Sequence, residues 1–231
     1  DGGGDGGTGD GGSIDQACYT PQIRPPGTII EIQQQFYDTA TGTPFGIMEM
    51  RQELLGPIEF RGEDTQGILV QDLSFDPDDP GSITYVSLDS VAMLERTHGG
   101  TSTNTLTNAE TTTWWEPTFN FPYGLSVGET YTQTVSMYVS TDGGPEEFIL
   151  ELDSTIEYVG NETITVPAGT FEACKFLATT SDSTQTDSST AASWYSVGDG
   201  IPLRSALVTE SGELIEVELV SLSIDGVQQL P

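Results

Sequence analysis

The stretch that decides the fold lies near the C-terminal end, where residues 214–220 read Leu-Ile-Glu-Val-Glu-Leu-Val. Strict alternation puts Ile215, Val217 and Leu219 on one face and the two glutamates on the other, which is typical of a half-buried β-strand. Residues 148–153, Phe-Ile-Leu-Glu-Leu-Asp, alternate in the same way. Both stretches predict sheets with one face covered and one face in water.

Short runs rich in Ile, Val, Thr, Tyr and Phe continue from Thr28 to Ile224, separated by Gly, Pro, Asn and Asp. Separate strands are predicted at 45–55 and 58–61, and again at 147–159 and 163–166, while His98-Gly99-Gly100 is predicted to be a turn. No helical stripe of apolar residues is found. We therefore expect an all-β fold, with a large antiparallel curved sheet or a sandwich or half-barrel.

The charge excludes several classes of partner. The 231 residues carry 36 acidic and 6 basic side chains, a net charge of −30. A phosphate backbone or an anionic membrane surface would be repelled, so we expect no nucleic-acid partner. The sequence has no run of 18 apolar residues, so we also expect no transmembrane segment.

The N-terminal residues differ in composition from the remainder. Residues 1–13 read DGGGDGGTGDGGS, so we expect a Gly/Asp-rich arm or tether at 1–17 and a single antiparallel β domain at 18–231. The chain begins with Asp1 and shows no signal-peptide pattern, which we interpret as a mature exported chain. The expected location is secreted, extracellular or on the cell-envelope surface.

Two cysteines and several acidic clusters are candidate structural or metal sites. Cys18 and Cys174 are predicted to form one disulfide, the alternative being two buried free thiols. Calcium is the one cofactor we consider, because a hard cation prefers oxygen ligands. Its candidate ligands form two groups, the turn residues Asp76, Asp78 and Asp79, and the arm residues Asp1, Asp5 and Asp10. Solvated acidic turns are the alternative at both places.

Catalytic motifs are missing from the sequence. The single histidine, His98, has no nucleophile motif around it, and no metalloprotease, phosphate-loop or dinucleotide motif occurs. Paired carboxylates for glycoside hydrolysis remain an alternative, but 36 acids make that signal unspecific. We therefore expect that the protein is not an enzyme. Asn161 begins a glycosylation sequon, which matters only in a glycosylating host.

An aromatic cluster surrounds two prolines between residues 114 and 123. Its members are candidates for a ligand groove, namely Trp114, Trp115, Phe119, Phe121 and Tyr123. The alternative is that these rings plug the end of a β core.

Three stretches carry a resemblance: FPYGLSVGET at 121–130, ITVPAGTFEACKF at 164–176 and WYSVGDGIP at 194–202. They resemble uncharacterised exported bacterial proteins and lipoproteins in which a VPAGTFEAC hairpin is followed by a WYxxGxG turn. The likeness covers about residues 115–231 and implies a curved antiparallel sheet similar to the lipoprotein-carrier half-barrel. It implies no activity.

Two functions follow from these observations. The first is a non-enzymatic extracellular structural or assembly protein, a self-associating subunit of a cell-surface polymer or filament joined through its arm or its β-edges. The second is a periplasmic or surface-tethered half-barrel that binds a lipid or another apolar ligand. The environment of residues 1–15 would distinguish them.

Overall fold

A computed structural model describes residues 18, 24–74, 76, 79–184, 188–208 and 214–229. The predicted arm, residues 1–17, lies outside the described residues. The described part is all-β, as expected. Its strands are β1 Ile29–Asp38, β2 Thr43–Phe60, β3 Glu63–Asp72, β4 Ser82–Asp89, β5 Leu94–Thr103, β6 Glu110–Pro122, β7 Thr130–Thr141, β8 Glu147–Val166, β9 Gly169–Asp182, β10 Ser189–Ser196, β11 Pro202–Val208, β12 Leu214–Ile224 and β13 Val227–Gln228.

The sheet is a meander that closes on itself. Each strand pairs with the next one in the chain, and β1 also pairs antiparallel with β12, with Ile30 opposite Ile224 and Phe36 opposite Val217. Strands β1 to β12 therefore form a closed barrel, and β13 adds two residues beside β12. The expected sandwich or half-barrel is wrong, because the turn residues specify only neighbouring strands while closure depends on a pairing between the two ends of the meander.

β-bulges extend strands that the sequence pattern divides. Strand β2 runs through the predicted break at residues 56–57, where its register with β3 shifts between Leu54 and Gly56. Strand β8 does the same at Gly160, whose φ is 132°. His98 lies within β5 rather than in a turn, beside a register shift between Thr97 and Gly99. In each case glycine permits a bulge that bends the strand without ending it.

The core consists of large side chains that meet inside the barrel. One cluster joins β1, β8 and β12 through Ile32, Ile164 and Leu219. A second cluster centres on Phe176, which is 1% exposed. The described part of the chain contains no helix with the length and hydrophobicity that crossing a bilayer requires.

Candidate functional site

A cavity of about 490 Å³ lies inside the barrel. Its wall includes Ile68 on β3, Phe119 on β6, Tyr195 on β10 and Leu222 on β12. These strands are not neighbours in the sheet, so their side chains can share one cavity only across the interior of the barrel. We call this space the interior cavity, and its remaining lining residues are Arg24, Ile30, Ile32, Gln52, Glu95, Thr97, Phe121, Asp199, Gly200, Ile201, Pro202 and Ile224.

Aromatic rings pack across the barrel beside the interior cavity. The ring of Phe121 on β6 lies 5.2 Å from that of Phe176 on β9 and 5.6 Å from that of Tyr195 on β10, both in edge-to-face geometry. The Tyr158 ring is 5.0 Å from Phe176. Such pairs stabilise beyond the apolar area that they bury, so this side of the cavity is a firmly packed wall.

The disulfide lies in the core cluster that centres on Phe176. Cys18 and Cys174 are bonded, with their Cα atoms 5.9 Å apart, and both are almost completely buried. The N–H of Gly198 donates to the carbonyl oxygen of Cys18 at 3.0 Å. The N-terminal side of β1 is thus joined both to β9 and to the turn after β10.

That turn contributes to the mouth of the cavity. Residues 197–201 connect β10 to β11, and residues 199–202 line the cavity. Gly200 has a φ of 67°, which favours glycine. The N–H of Ile201 donates to the Ser196 hydroxyl at 2.9 Å, and Gly200 donates to the Ser196 carbonyl at 3.0 Å. The WYSVGDGIP stretch therefore forms a fixed turn over the cavity, with Asp199 exposed.

Glu95 is an acidic residue of the interior cavity that the sequence pattern did not indicate. It sits on β5 directly opposite Phe121 of β6. Burial raises the pKa of the Glu95 carboxyl, because removing water disfavours the charged form. Burial also raises the pKa of the Tyr195 and Tyr123 phenols, and the negative charge of Glu95 adds to the effect at both. No hydrogen bond or ion pair joins the Glu95 carboxyl to another of the described residues.

The five predicted groove residues are divided between different places. Phe119 and Phe121 line the interior cavity, and Tyr123, 2% exposed, is packed in the Phe176 cluster. Trp114 and Trp115 instead line a second cavity of about 440 Å³, formed with the β2–β3 turn and β5. A register shift between β5 and β6 lies between the two groups, and the rings of Trp115 and Phe119 still approach to 5.9 Å across it.

The second cavity collects several of the few basic residues. The Arg61 guanidinium lies 3.8 Å from the centre of a Trp114 ring and pairs with Glu146 at 3.0 Å. Arg96, on the same cavity, pairs with Asp89 at 2.5 Å. Since both guanidinium groups already have carboxylate partners, these charges are engaged within the protein.

His98 has a hydroxyl partner that the sequence spacing did not indicate. Its Nε2 is 2.8 Å from the Ser87 hydroxyl oxygen on the neighbouring strand β4. Burial is the main cause that lowers the pKa of His98. The negative charge of Glu63, which lines the same second cavity, acts on His98 in the opposite direction. Among the described residues no hydrogen bond joins Glu63 to the other ring nitrogen of His98.

The candidate calcium ligands are only partly described. Asp1, Asp5, Asp10 and Asp78 lie outside the described residues. Both carboxylate oxygens of Asp79 accept backbone N–H groups, from Asp72 at 3.0 Å and from Gly81 at 3.1 Å. The backbone carbonyl of Asp76 accepts from the Asp79 N–H at 3.1 Å. Within the described ranges no group of three or more His, Cys, Asp or Glu side chains is placed to hold a metal ion.

Asn161, the sequon residue, is exposed at the bulge of β8, and its side-chain oxygen accepts from the Tyr158 hydroxyl at 2.6 Å. The Asn161 side chain therefore accepts the hydrogen bond of the buried Tyr158 hydroxyl. Glycosylation of Asn161 stays a prediction.

Comparisons with known proteins give structural neighbours only. No protein-family model matches the chain, and no curated protein sequence matches it. A Bacteroides fragilis protein described as exported and as having a YmcC-like fold is 15% identical over 90% of this chain and 99% of its own, with a TM-score of 0.47. A Parabacteroides distasonis protein described as a lipoprotein is 15% identical over 90% and 100%, with a TM-score of 0.40. The hypothetical lipoprotein YmcC of Escherichia coli is 13% identical over 87% and 90%, with a TM-score of 0.38.

Proposed function

We propose that the protein is a non-enzymatic exported binding protein that holds a small, largely apolar molecule inside its barrel. The observation that carries this proposal is the interior cavity, which has a volume of about 490 Å³ and is lined by residues of β1, β2, β3, β5, β6, β10, β11 and β12. Small-molecule sites usually measure about 300 to 1,000 Å³ and have apolar walls with few polar groups. Ile30, Ile68, Phe119, Leu222 and Ile224 supply such a wall.

The disulfide favours an exported location, because such bonds persist in oxidising compartments. We infer no catalytic role because the sequence has no nucleophile motif around its single histidine, His98. A fluorophosphonate probe should therefore leave Ser87 unlabelled.

The assembly hypothesis has less support. Strands β1 and β12 pair with each other along their length, so these two strands present no free edge to a neighbouring chain over the paired residues. The other proposed route, through the N-terminal arm, lies outside the described residues and stays a prediction.

A cavity-filling variant tests the binding function. Thr97 lines the interior cavity, so Thr97→Phe should occupy it, whereas Thr132→Phe makes the same change at an exposed position of β7. Titration with the neutral fluorescent probe N-phenyl-1-naphthylamine should show saturable binding to the natural protein and to Thr132→Phe. Thr97→Phe should bind the probe at least about tenfold more weakly, which corresponds to about 1.4 kcal/mol of binding free energy. Equal binding by Thr97→Phe and the natural protein would place the probe elsewhere and refute the proposal.

A further inference from the structure

We propose that the interior cavity selects ligands that combine an apolar body with a cationic group, and that Glu95 binds that group. This inference rests on the proposed binding function and specifies its ligand class. It assigns a primary or secondary ammonium, or an amidinium, to the position next to Glu95. An alkyl or aryl portion occupies the apolar wall.

The first support is the position of Glu95. It lines the cavity among Phe119, Phe121 and Tyr195, three aromatic side chains. A carboxylate among apolar groups is costly unless it is paired, and none of the described residues forms a hydrogen bond or ion pair with it. A ligand ammonium would supply both the opposite charge and the hydrogen-bond donors that the carboxylate lacks.

The second support is the balance of charge at the cavity. The charged groups that face the interior cavity are Glu95, Arg24 and Asp199, and the phenol of Tyr195 also faces it. Two carboxylates against one guanidinium leave the cavity wall negative. The chain as a whole carries a net charge of −30, so its field attracts cations to the mouth and repels anions. An acidic lipid would therefore meet repulsion both on approach and beside Glu95.

Three probes that share a ten-carbon chain separate the ligand classes. Isothermal titration at pH 7 and low salt would compare decylamine, 1-decanol and decanoate, all below their aggregation limits. We expect decylamine to bind at least about tenfold more tightly than 1-decanol, as one charge-assisted hydrogen bond predicts. Decanoate should bind more weakly than 1-decanol.

A matched pair of variants then assigns the preference to one side chain. Glu95→Gln removes the charge from the cavity and keeps the shape, so decylamine should lose about tenfold in affinity while 1-decanol changes less than about twofold. Glu151→Gln makes the same change on an exposed residue of β8 outside the interior cavity, and it should leave all three affinities unchanged.

The outcomes separate the two proposals. If 1-decanol binds but decylamine has no advantage, or if Glu95→Gln keeps that advantage, the ligand class is wrong and the binding function stands. If none of the three probes binds, the binding function fails and the ligand class fails with it.

Should Glu95→Gln not fold, the natural protein provides the deciding measurement. Decylamine keeps its charge from pH 4 to pH 8, whereas Glu95 becomes neutral as the pH falls. The affinity ratio of decylamine to 1-decanol must therefore fall on acidification, and a constant ratio overturns the assignment to Glu95.

Discussion

Reduction of the disulfide should destabilise the barrel strongly. Cys18 and Cys174 are 156 residues apart in the sequence, so the bond closes a loop that contains β1 to β8. The chain-entropy relation gives about 5 kcal/mol for a loop of this length at 25 °C, and measured disulfides often contribute about 2 to 4 kcal/mol. For a domain of this size each 1 kcal/mol shifts the Tm by roughly 2 to 4 °C. We expect reduction to lower the Tm by roughly 4 to 20 °C.

Thermal unfolding followed by circular dichroism, with and without a phosphine reductant, measures this shift. Alkylation in denaturant and mass spectrometry must show no free thiol before reduction and two after it. A Cys18→Ala, Cys174→Ala double variant is the matched control. Its Tm should be close to that of the reduced protein and should not change when the reductant is added. A fully reduced protein that melts within about 2 °C of the oxidised one would refute the reasoning from loop entropy. Two alkylatable thiols in the unreduced protein would refute the bond itself.

Other expectations concern stability and assembly. The pKa of Glu95 is raised in the folded state, so ionisation of this carboxyl destabilises the fold as the pH rises above the ordinary carboxyl range. Glu95→Gln should therefore raise the Tm at pH 7 and change the Tm less at pH 4. Phe176→Ala should cost about 3 to 5 kcal/mol in urea unfolding, whereas Phe148→Ala, at a ring 55% exposed, should cost far less. Millimolar calcium should raise the Tm relative to chelator, because bound cations relieve the repulsion of a −30 chain; an unchanged Tm favours solvated acidic turns. Deleting residues 1–12 should leave the circular dichroism unchanged but weaken oligomers in sedimentation, and undiminished oligomers would make the arm a tether.

The local elements were predictable from the sequence, but the closure was not. Alternation in residues 214–220 predicts the strand that the structure contains, because a half-buried strand repeats its side-chain environment every two residues. The predicted strand ends at Gly56, Gly160 and Gly99 are wrong, because glycine there permits bulges within strands rather than turns between them. The pairing of Ile30 with Ile224 has no local signal, since it depends on the accumulated curvature of every strand between them.

The candidate site was harder to predict for the same reason. Phe119 and Phe121 were identified as groove residues from their aromatic character, and the structure places them on the interior cavity. Glu95 could not be distinguished from 35 other acidic residues, because its chemistry depends on which face of β5 turns inward. A carboxylate at an inward position opposite Phe121 is recognisable only after the register of β5 and β6 is known.

The pairing of the first strand with the twelfth also limits when the barrel can close during synthesis. Neighbouring strands can meet as hairpins while the chain is still emerging, because their contacts are local and close short loops. The seam between β1 and β12 cannot form until residue 224 is present. Until then the apolar side chains of Ile30 and Ile32 have no strand beside them on that side, and the meander has two open edges. The interior therefore cannot close before the chain reaches residue 224, and a chain truncated before β12 would be an open sheet with exposed edges and apolar side chains rather than a smaller version of the same protein.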